Sequence, residues 1–233
     1  MTNRGRARFG VLVPFTNVNL EPDMMMLAPP GVSMHFARLG HYDVDEIPDE
    51  TQMAGLGDAD IDDELRLLAG VRPDVVLYGC TSATLSHGTE FDRKLSATIQ
   101  ARMDAHTVTA AGAIVQALRK RGISKVGFAS PYVERLNDAA IAFLAASGVE
   151  TVARSDYPEE LGNYGQGELT PDQILHHALK ADHAEAEALV LSCTDMRSVE
   201  TMAALENATG KPIICSNAAM VEAATDLLGL SNP

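Results

Sequence analysis

The sequence predicts an α/β fold of two doubly wound halves, each built around a parallel sheet. The first observation is that residues 74–78 and 188–191 are short, continuous apolar runs, which are typical of strands covered on both faces. The second is that helical patterns separate such runs along the chain. The third is an internal repeat that divides the 233 residues into two similar parts.

The repeat is visible in two pairs of landmarks. Pro14 and Pro131 each follow an apolar strand and lie 117 residues apart, while Cys80 and Cys193 lie 113 residues apart. Such similar offsets indicate duplication of a half-chain of about four strands with helices between them.

The repeat also predicts how the chain is divided. We expect one α/β half over residues 1–112 and the other over residues 113–233. The last helix of the first half can cross over to the second half, and the terminal helix of the second half can be exchanged in return. Halves that face each other would bring the carboxyl ends of their strands, where open α/β sheets bind ligands, to a shared cleft.

The first half is expected to hold four strands. They are predicted at residues 8–13, 32–38, 74–78 and 107–109. Helices are predicted at residues 60–68, 91–103 and 110–120, and basic residues suit the end of the last one because of the helix dipole. Residues 19–30 are interpreted as an irregular segment or short helix over the pocket mouth. The acidic stretch 43–50 is interpreted as a solvated loop.

In the second half the pattern restarts. Residues 125–132 repeat the strand-then-proline shape of residues 10–15, and further strands are predicted at residues 149–153, 188–191 and 211–215. Helices are predicted at residues 132–147, 171–180, 199–208 and 217–228. Pro171 suits the first turn of its helix, where an N–H has no partner to lose. Residues 156–170, which are rich in Gly and polar residues and include Asn163, are predicted to be a loop.

The composition indicates a globular protein that repels polyanions. Eighteen Lys and Arg against 32 Asp and Glu leave a formal charge of −14. Nucleic acid and anionic membrane are therefore not expected as partners, and a small carboxylate substrate must be held by local donors. No apolar run approaches the ~18 residues of a membrane span and the first residues do not read as a signal peptide, which predicts a cytoplasmic protein.

The cysteine and histidine patterns argue against disulfides and metal. Three cysteines are too few and too odd in number for a disulfide framework, so reduced thiols are expected. No HExxH or CxxC spacing occurs, and no metal site is predicted. Cys215 follows two isoleucines and is expected to lie in the core.

Cys80 and Cys193 each end a predicted buried strand, and a threonine follows each at once. A thiol serves as acid, base or nucleophile once its pKa falls from ~8.5. A strand end that leads into a turn or helix supplies N–H groups that favour the thiolate. Either cysteine alone would be explained as a small core residue, but their matched positions in the repeat favour a joint function in one pocket.

Other polar residues near these strand ends have both a chemical and a structural interpretation. Asn17 could donate to a carboxylate or simply support a turn. Tyr132 begins a helix at the equivalent turn of the second half, where packing is the alternative role. His87 could be a general base or an ordinary loop residue. The remaining candidates are interpreted as ligand contacts, helix caps or surface ion pairs: Ser82, Thr194, Asp195, Arg38 and Arg197.

Five segments carry a resemblance to a known family. They are residues 13–17, 79–82, 129–132, 191–194 and 210–213. At these positions the chain resembles the Asp/Glu racemase superfamily, and within it the branch that holds maleate cis-trans isomerase and arylmalonate decarboxylase. The resemblance spans nearly the whole chain. It implies two Rossmann-like halves related by a pseudo-twofold, an active site in the cleft between them, no cofactor and a homodimer.

The resemblance also implies roles for individual residues. In the maleate isomerases one cysteine adds to the double bond and the other donates the proton. By this resemblance Cys80 is the nucleophile and Cys193 the acid, while Asn17, Tyr132 and Asn163 hold the carboxylates and the enolate-like intermediate. The predicted substrate-binding set is completed by Thr81, Ser82 and Thr194.

Several functions are consistent with this pattern. The main prediction is a cofactor-independent cis-trans isomerase of a small unsaturated dicarboxylate, of the maleate-to-fumarate type. One alternative is a two-cysteine racemase or epimerase of the Asp/Glu or hydantoin type, which residues 79–82 resemble more closely. Another is an arylmalonate-type decarboxylase, which in that family has a glycine at the position of Cys80. A two-lobed binding module is the alternative from a different functional class.

Overall fold

The structure, a computed structural model, describes residues 5–40 and 61–230. The predicted acidic loop at residues 43–50 lies outside the described residues. The strands are β1 Ala7–Pro14, β2 Val32–Leu39, β3 Val75–Tyr78, β4 His106–Thr109, β5 Lys125–Ala129, β6 Glu150–Ser155, β7 Ala188–Leu191 and β8 Ile213–Cys215.

Helices connect the strands and carry recognisable sequence signals at their ends. They are α1 Leu20–Leu27, α2 Asp62–Ala69, α3 Thr81–Met103, α4 Ala110–Lys120, α5 Glu134–Ala146, α6 Gly162–Glu168, α7 Pro171–Leu179, α8 Met202–Thr209 and α9 Ser216–Leu227. The Thr109 hydroxyl caps α4 by accepting the N–H of Gly112, and Thr170 and Gln173 form a capping box at the start of α7. Among these helices none is both long and apolar enough to span a bilayer.

The strands form two parallel sheets with the same internal order. The first has the order β2-β1-β3-β4 and the second β6-β5-β7-β8, so each strand of one sheet corresponds to the strand four places later in the other. All pairings are parallel. The predicted α/β class and its four-strand repeat are therefore confirmed.

The largest core cluster is shared by both halves. It joins side chains such as Phe9 and Leu77 of the first sheet to Phe128 and Val190 of the second, with α4 and α9 between them. Two smaller clusters cover the other face of each sheet. The helices α4 and α9, which follow equivalent strands, pack on each other, and α9 also contacts α1 and β4. The division expected between residues 112 and 113 falls inside α4.

Two element predictions were wrong. Residues 156–170, predicted as a loop, contain the short helix α6, in which Asn163, Gln166 and Gly167 are buried. Three glycines in seven residues oppose helix formation locally, so contacts with the rest of the fold must stabilise this helix. The helix predicted from residue 91 begins ten residues earlier, directly after Cys80, and is kinked at Gly88, where φ is +79°.

Candidate active site

The two halves deliver their cysteines from strand ends that are built alike. β3 and β7 are equivalent strands, and in each half the chain continues from the strand for one residue before the cysteine. That residue donates its N–H to the neighbouring first strand: Gly79 to the carbonyl of Leu12, and Ser192 to the carbonyl of Ala129, both at 2.9 Å. The repeated sequence thus produces a repeated local geometry.

Gly79 allows the first of these strand ends to pass close to its neighbours. A Cβ atom at this position would lie 2.3 Å from Leu20 Cδ2 and 2.7 Å from the carbonyl oxygen of Leu12. Neither a backbone oxygen nor a fully buried leucine can move aside easily. A glycine is therefore required for Cys80 to reach its position at the start of α3.

Cys80 is the N-terminal cap residue of α3 and is 4% exposed. Its Sγ lies 3.7 Å from Ser82 Oγ and accepts the backbone N–H of Ala83. Burial raises the pKa of the Cys80 thiol, and these two hydrogen bonds oppose the rise. The helix N-terminus adds partial positive charge beside the sulfur. These contacts offset the effect of burial only in part, because the pKa of the thiol remains above its usual value.

Cys193 is 3% exposed and occupies a different electrostatic setting. Burial and then the negative charge of Asp195 raise the pKa of its thiol to about 12, against hydrogen bonds from Tyr132 and from the N–H groups of Asp195 and Met196. The N–H of Asp195 lies 3.4 Å from Sγ. Cys193 therefore retains its proton at neutral pH.

Tyr132 joins the two strand ends. Its hydroxyl lies 3.5 Å from Cys193 Sγ, and it also forms a hydrogen bond with Ser82 and interacts electrostatically with Cys80. Burial, followed by the negative charge of a Cys193 thiolate, raises the pKa of Tyr132 well above its usual value, so the phenol keeps its proton. One hydroxyl from the second half thus interacts with both cysteines.

Asn17 is 3% exposed and its side chain bridges the halves. Its Nδ2 donates to Thr194 Oγ1 at 3.0 Å, and the Thr194 hydroxyl donates to the carbonyl of Gly79 at 2.8 Å. Its Oδ1 accepts the N–H groups of Asn19 and Leu20 at 3.1 and 2.8 Å and so stabilises the turn that leads into α1. The structure therefore brings Asn17 and Thr194 together beside both cysteine strand ends.

Thr81 and Asn163 have other surroundings. The Thr81 hydroxyl donates to Ser216 Oγ at 3.1 Å and so links α3 to α9. Asn163 lies on α6, 7% exposed, and its backbone carbonyl accepts a hydrogen bond from Gln166.

Three buried or half-buried polar residues near this cluster were not proposed from the sequence: Asn19, Asp23 and Asn217. Asn19 donates from Nδ2 to the carbonyls of Gly167 and Asp195 at 2.9 and 2.7 Å. Asn217 donates to Asp23 Oδ2 at 2.7 Å and to the carbonyl of Thr194 at 3.0 Å. Asn217 lies two residues after the end of β8. Because ligands bind at the carboxyl ends of parallel strands, its position could have been used to predict it. Asp23 has no such signal, because it lies within α1.

The remaining candidates lie outside this cluster. His87 stacks on Phe91 with ring centroids 4.3 Å apart, and its Nδ1 lies 2.8 Å from the carbonyl of Ala83. Arg197 forms a surface ion pair with Glu200. Cys215 is in the core, as predicted, with no exposed surface. The described residues contain no cluster of three or more His, Cys, Asp or Glu side chains arranged to hold a metal ion.

Comparison with known proteins adds a family to this geometry. The pattern of the family described as arylmalonate decarboxylase matches residues 9–232. The maleate isomerase of Nocardia farcinica is 28% identical over 222 residues, which cover 90% of this chain and 85% of that enzyme. The maleate isomerase of Alcaligenes faecalis is 29% identical over 153 residues, which cover 63% of this chain and only 60% of that enzyme.

A solved structure is similar across most of the chain. It is a cysteine-to-serine mutant of the Nocardia farcinica maleate cis-trans isomerase with a covalently bound succinylcysteine intermediate. The TM-score is 0.86 at 23% identity, and the match covers 96% of this chain and 93% of that one. At this identity the similarity establishes the fold.

Proposed function

The chain belongs to the arylmalonate decarboxylase family. From this membership and from the similarity to maleate isomerases we propose that it is a cofactor-independent cis-trans isomerase that converts maleate to fumarate. The observation that carries the proposal is the position of Tyr132, whose hydroxyl interacts with Cys193, Ser82 and Cys80 at once. Two thiols at one site suit addition to a double bond with proton transfer from the opposite partner.

Cys80 is the proposed nucleophile. The N–H of Ala83 and the hydroxyl of Ser82 stabilise its thiolate at the start of α3 and offset part of the rise in pKa that burial causes. Cys193 is the proposed acid, because burial and Asp195 hold its pKa at about 12. We propose that the reaction begins from a Cys80 thiolate and a Cys193 thiol.

The proposed reaction balances without any other reactant. The Cys80 thiolate forms an S–C bond to one alkene carbon, and the π electrons move toward the far carboxylate. Cys193 donates its proton to the other alkene carbon, which leaves a succinyl thioether and a Cys193 thiolate. After rotation about the new C–C single bond, Cys193 takes a proton back and the Cys80 thiolate leaves, which gives fumarate.

Substrate binding is proposed to depend on buried donors rather than on charge. Asn17 and Tyr132 present an amide and a hydroxyl beside the cysteine strand ends, and Thr194, whose own O–H donates to the carbonyl of Gly79, is proposed to orient the Asn17 amide toward the substrate. Ser82 and Asn163 complete the set that we propose to hold the two carboxylates and the enolate-like intermediate, while Thr81 supports α3. Local donors are needed, because the formal charge of −14 opposes a dianion at long range.

The proposal is tested by proton NMR of maleate incubated with the protein in heavy water. Conversion to fumarate without any added cofactor is expected. Exchange at the α-carbon of aspartate, glutamate or a hydantoin without isomerisation of maleate would instead support the racemase alternative. Loss of carbon dioxide from an arylmalonate would support the decarboxylase.

Tyr132→Phe is expected to lower kcat by about ten- to a hundredfold, because it removes one hydroxyl that contacts Cys193 and Ser82 at the reacting centre. Steady-state kinetics with maleate measures this change. The matched control is Tyr164→Phe, which removes the hydroxyl of a tyrosine that is 52% exposed on α6. Equal rates in both variants would exclude Tyr132 from the site.

We also propose that the protein is a cytoplasmic homodimer, in line with the family resemblance. Exposed apolar side chains on two helices that pack together support an interface: Met25 and Met26 of α1 and Leu227 of α9. Size-exclusion chromatography with light scattering measures the oligomeric state, and a monomer at micromolar concentration contradicts the proposal.

A further inference from the structure

Asp195 follows Cys193 by two residues and holds the turn that carries Asn17. Its Oδ1 accepts the N–H of Val18 at 2.8 Å and the N–H of Asn19 at 3.1 Å. Asn19 in return donates its side-chain amide to the Asp195 carbonyl at 2.7 Å. The end of the second cysteine strand is thereby tied to the first turn of the opposite half.

The second carboxylate oxygen marks this residue as unusual. Asp195 is 4% exposed, and its Oδ2 is buried without a hydrogen-bond partner among the described residues. A Cβ atom on Gly167 would lie 2.8 Å from this oxygen, so α6 packs directly against it. An unpaired buried acceptor costs free energy, so the carboxylate must bring a benefit that a neutral acceptor would not provide.

A positive group binds the opposite side of the same turn. Arg38 of β2 donates from Nη1 to the carbonyls of Phe15 and Asn17 at 3.1 and 2.8 Å, and it pairs with Glu21 of α1. Arg38 therefore binds the carbonyls of the turn while Asp195 binds its N–H groups. The two charges together fix the backbone from which Asn17 extends.

The ionisable groups that bear on Asp195 come from both halves. Burial raises the pKa of Asp195 to about 6, against the N–H groups of Val18 and Asn19 and the charge of Arg38. In turn the carboxylate raises the pKa of Cys193. At neutral pH the carboxylate is thus charged, and it both strengthens the hydrogen bonds to the turn and helps Cys193 keep its proton.

We propose that Asp195 is a positioning residue that clamps the Asn17 turn to the strand end of Cys193, so that the binding amide and the proton-donating thiol face one substrate. The sequence pattern offered a helix cap as the role of Asp195, but no helix begins here, and the N–H groups it binds belong to the other half. The kinetic part of the proposal rests on the proposed maleate isomerase function.

Two substitutions separate the acceptor from the charge. Asp195→Ala removes both, and KM for maleate is expected to rise by about tenfold or more, because Asn17 loses its support. Asp195→Asn keeps an acceptor oxygen at the same place, and most of the KM increase should be rescued. Equal KM values in Asp195→Ala and the parent protein would overturn the clamp.

The pH dependence identifies the charge. Substrate ionisation changes KM equally in both proteins, so it does not affect the ratio of KM in the parent to KM in Asp195→Asn. Between about pH 5 and pH 8 this ratio should fall as pH rises through the pKa of Asp195, because only the parent gains a charged acceptor. The matched control is Asp23→Asn, since Asp23 is also buried with a pKa raised to about 6, but its carboxylate accepts a hydrogen bond from Asn217 and not from the Asn17 turn. A flat ratio for Asp195, or a pH-dependent ratio for Asp23 instead, overturns the proposal.

A readout that needs no turnover distinguishes this proposal from the proposed function. In protein that carries Cys80→Ser and Cys215→Ala, iodoacetamide can label only Cys193, and mass spectrometry gives the labelling rate. Adding Asp195→Asn should increase that rate at pH 8 by about threefold or more, because removal of the negative charge lowers the pKa of the thiol. An unchanged or slower rate overturns the charge effect even if maleate proves not to be the substrate.

Discussion

Replacement of Cys80 by serine is expected to reduce maleate turnover by at least about a thousandfold, because a hydroxyl that is not ionised at neutral pH cannot add to the double bond. The fold should remain intact. Serine is nearly the same size as cysteine and is a preferred N-terminal cap residue, and Cys80 caps α3. Maleate kinetics together with circular dichroism and a thermal melt measure the two effects separately.

The matched control for this result is Cys215→Ala. It removes a thiol that is as deeply buried as Cys80 but lies in the core, 3.5 Å from the sulfur of Met202. Turnover close to that of the parent protein is expected, although removal of core contacts lowers stability somewhat. If Cys80→Ser retained turnover while Cys215→Ala lost it, the assignment of the nucleophile would be wrong.

The positions of Cys80 and Cys193 at equivalent strand ends were predictable because the sequence repeats its own local pattern. An apolar run marks a strand buried on both faces, and ligands bind at the carboxyl ends of such strands. The equal hydrogen bonds from Gly79 and Ser192 to their neighbouring strands show the same arrangement in both halves. The matching positions of Cys80 and Cys193 therefore indicated both the repeated fold and the candidate site.

The polar contacts between the halves could not be predicted in the same way. Asn17 and Thr194 are 177 residues apart in sequence, and so are Val18 and Asp195. Neither spacing has a periodicity that a local pattern would reveal. α6 illustrates the same limit, because its glycines oppose a helix locally, while packing of Gly167 against Asp195 and a hydrogen bond from Asn19 hold it in place.

The early part of α3 was missed for a related reason. The segment after Cys80 is rich in Thr and Ser and contains Gly88, so its intrinsic helix propensity is low. Hydrogen bonds from the Thr84 hydroxyl to the carbonyls of Cys80 and Thr81 support the first turn, and the Thr81 hydroxyl bonds Ser216. Tertiary contacts thus allow a helix to begin directly after Cys80, although helix propensity alone predicts none there.

For Cys193→Ser we expect a covalent intermediate to accumulate, which Cys80→Ser cannot form. Turnover should again fall by at least about a thousandfold, but Cys80 can still add to maleate, with water supplying the proton that Cys193 would have given. Serine cannot remove that proton again at neutral pH, so the intermediate should accumulate.

Intact mass spectrometry of Cys193→Ser after incubation with maleate tests the order of the two thiols. The protein should gain the mass of one maleic acid, and a digest should locate the adduct on Cys80. In heavy water the adduct should carry one deuterium at the carbon next to the thioether carbon, because in this variant solvent is the proton source. The double variant Cys80→Ser with Cys193→Ser should remain unmodified. An adduct on Cys193 in the Cys80→Ser protein, with none on Cys80 in Cys193→Ser, would reverse the roles, and the raised pKa of Cys193 would then not have prevented its attack.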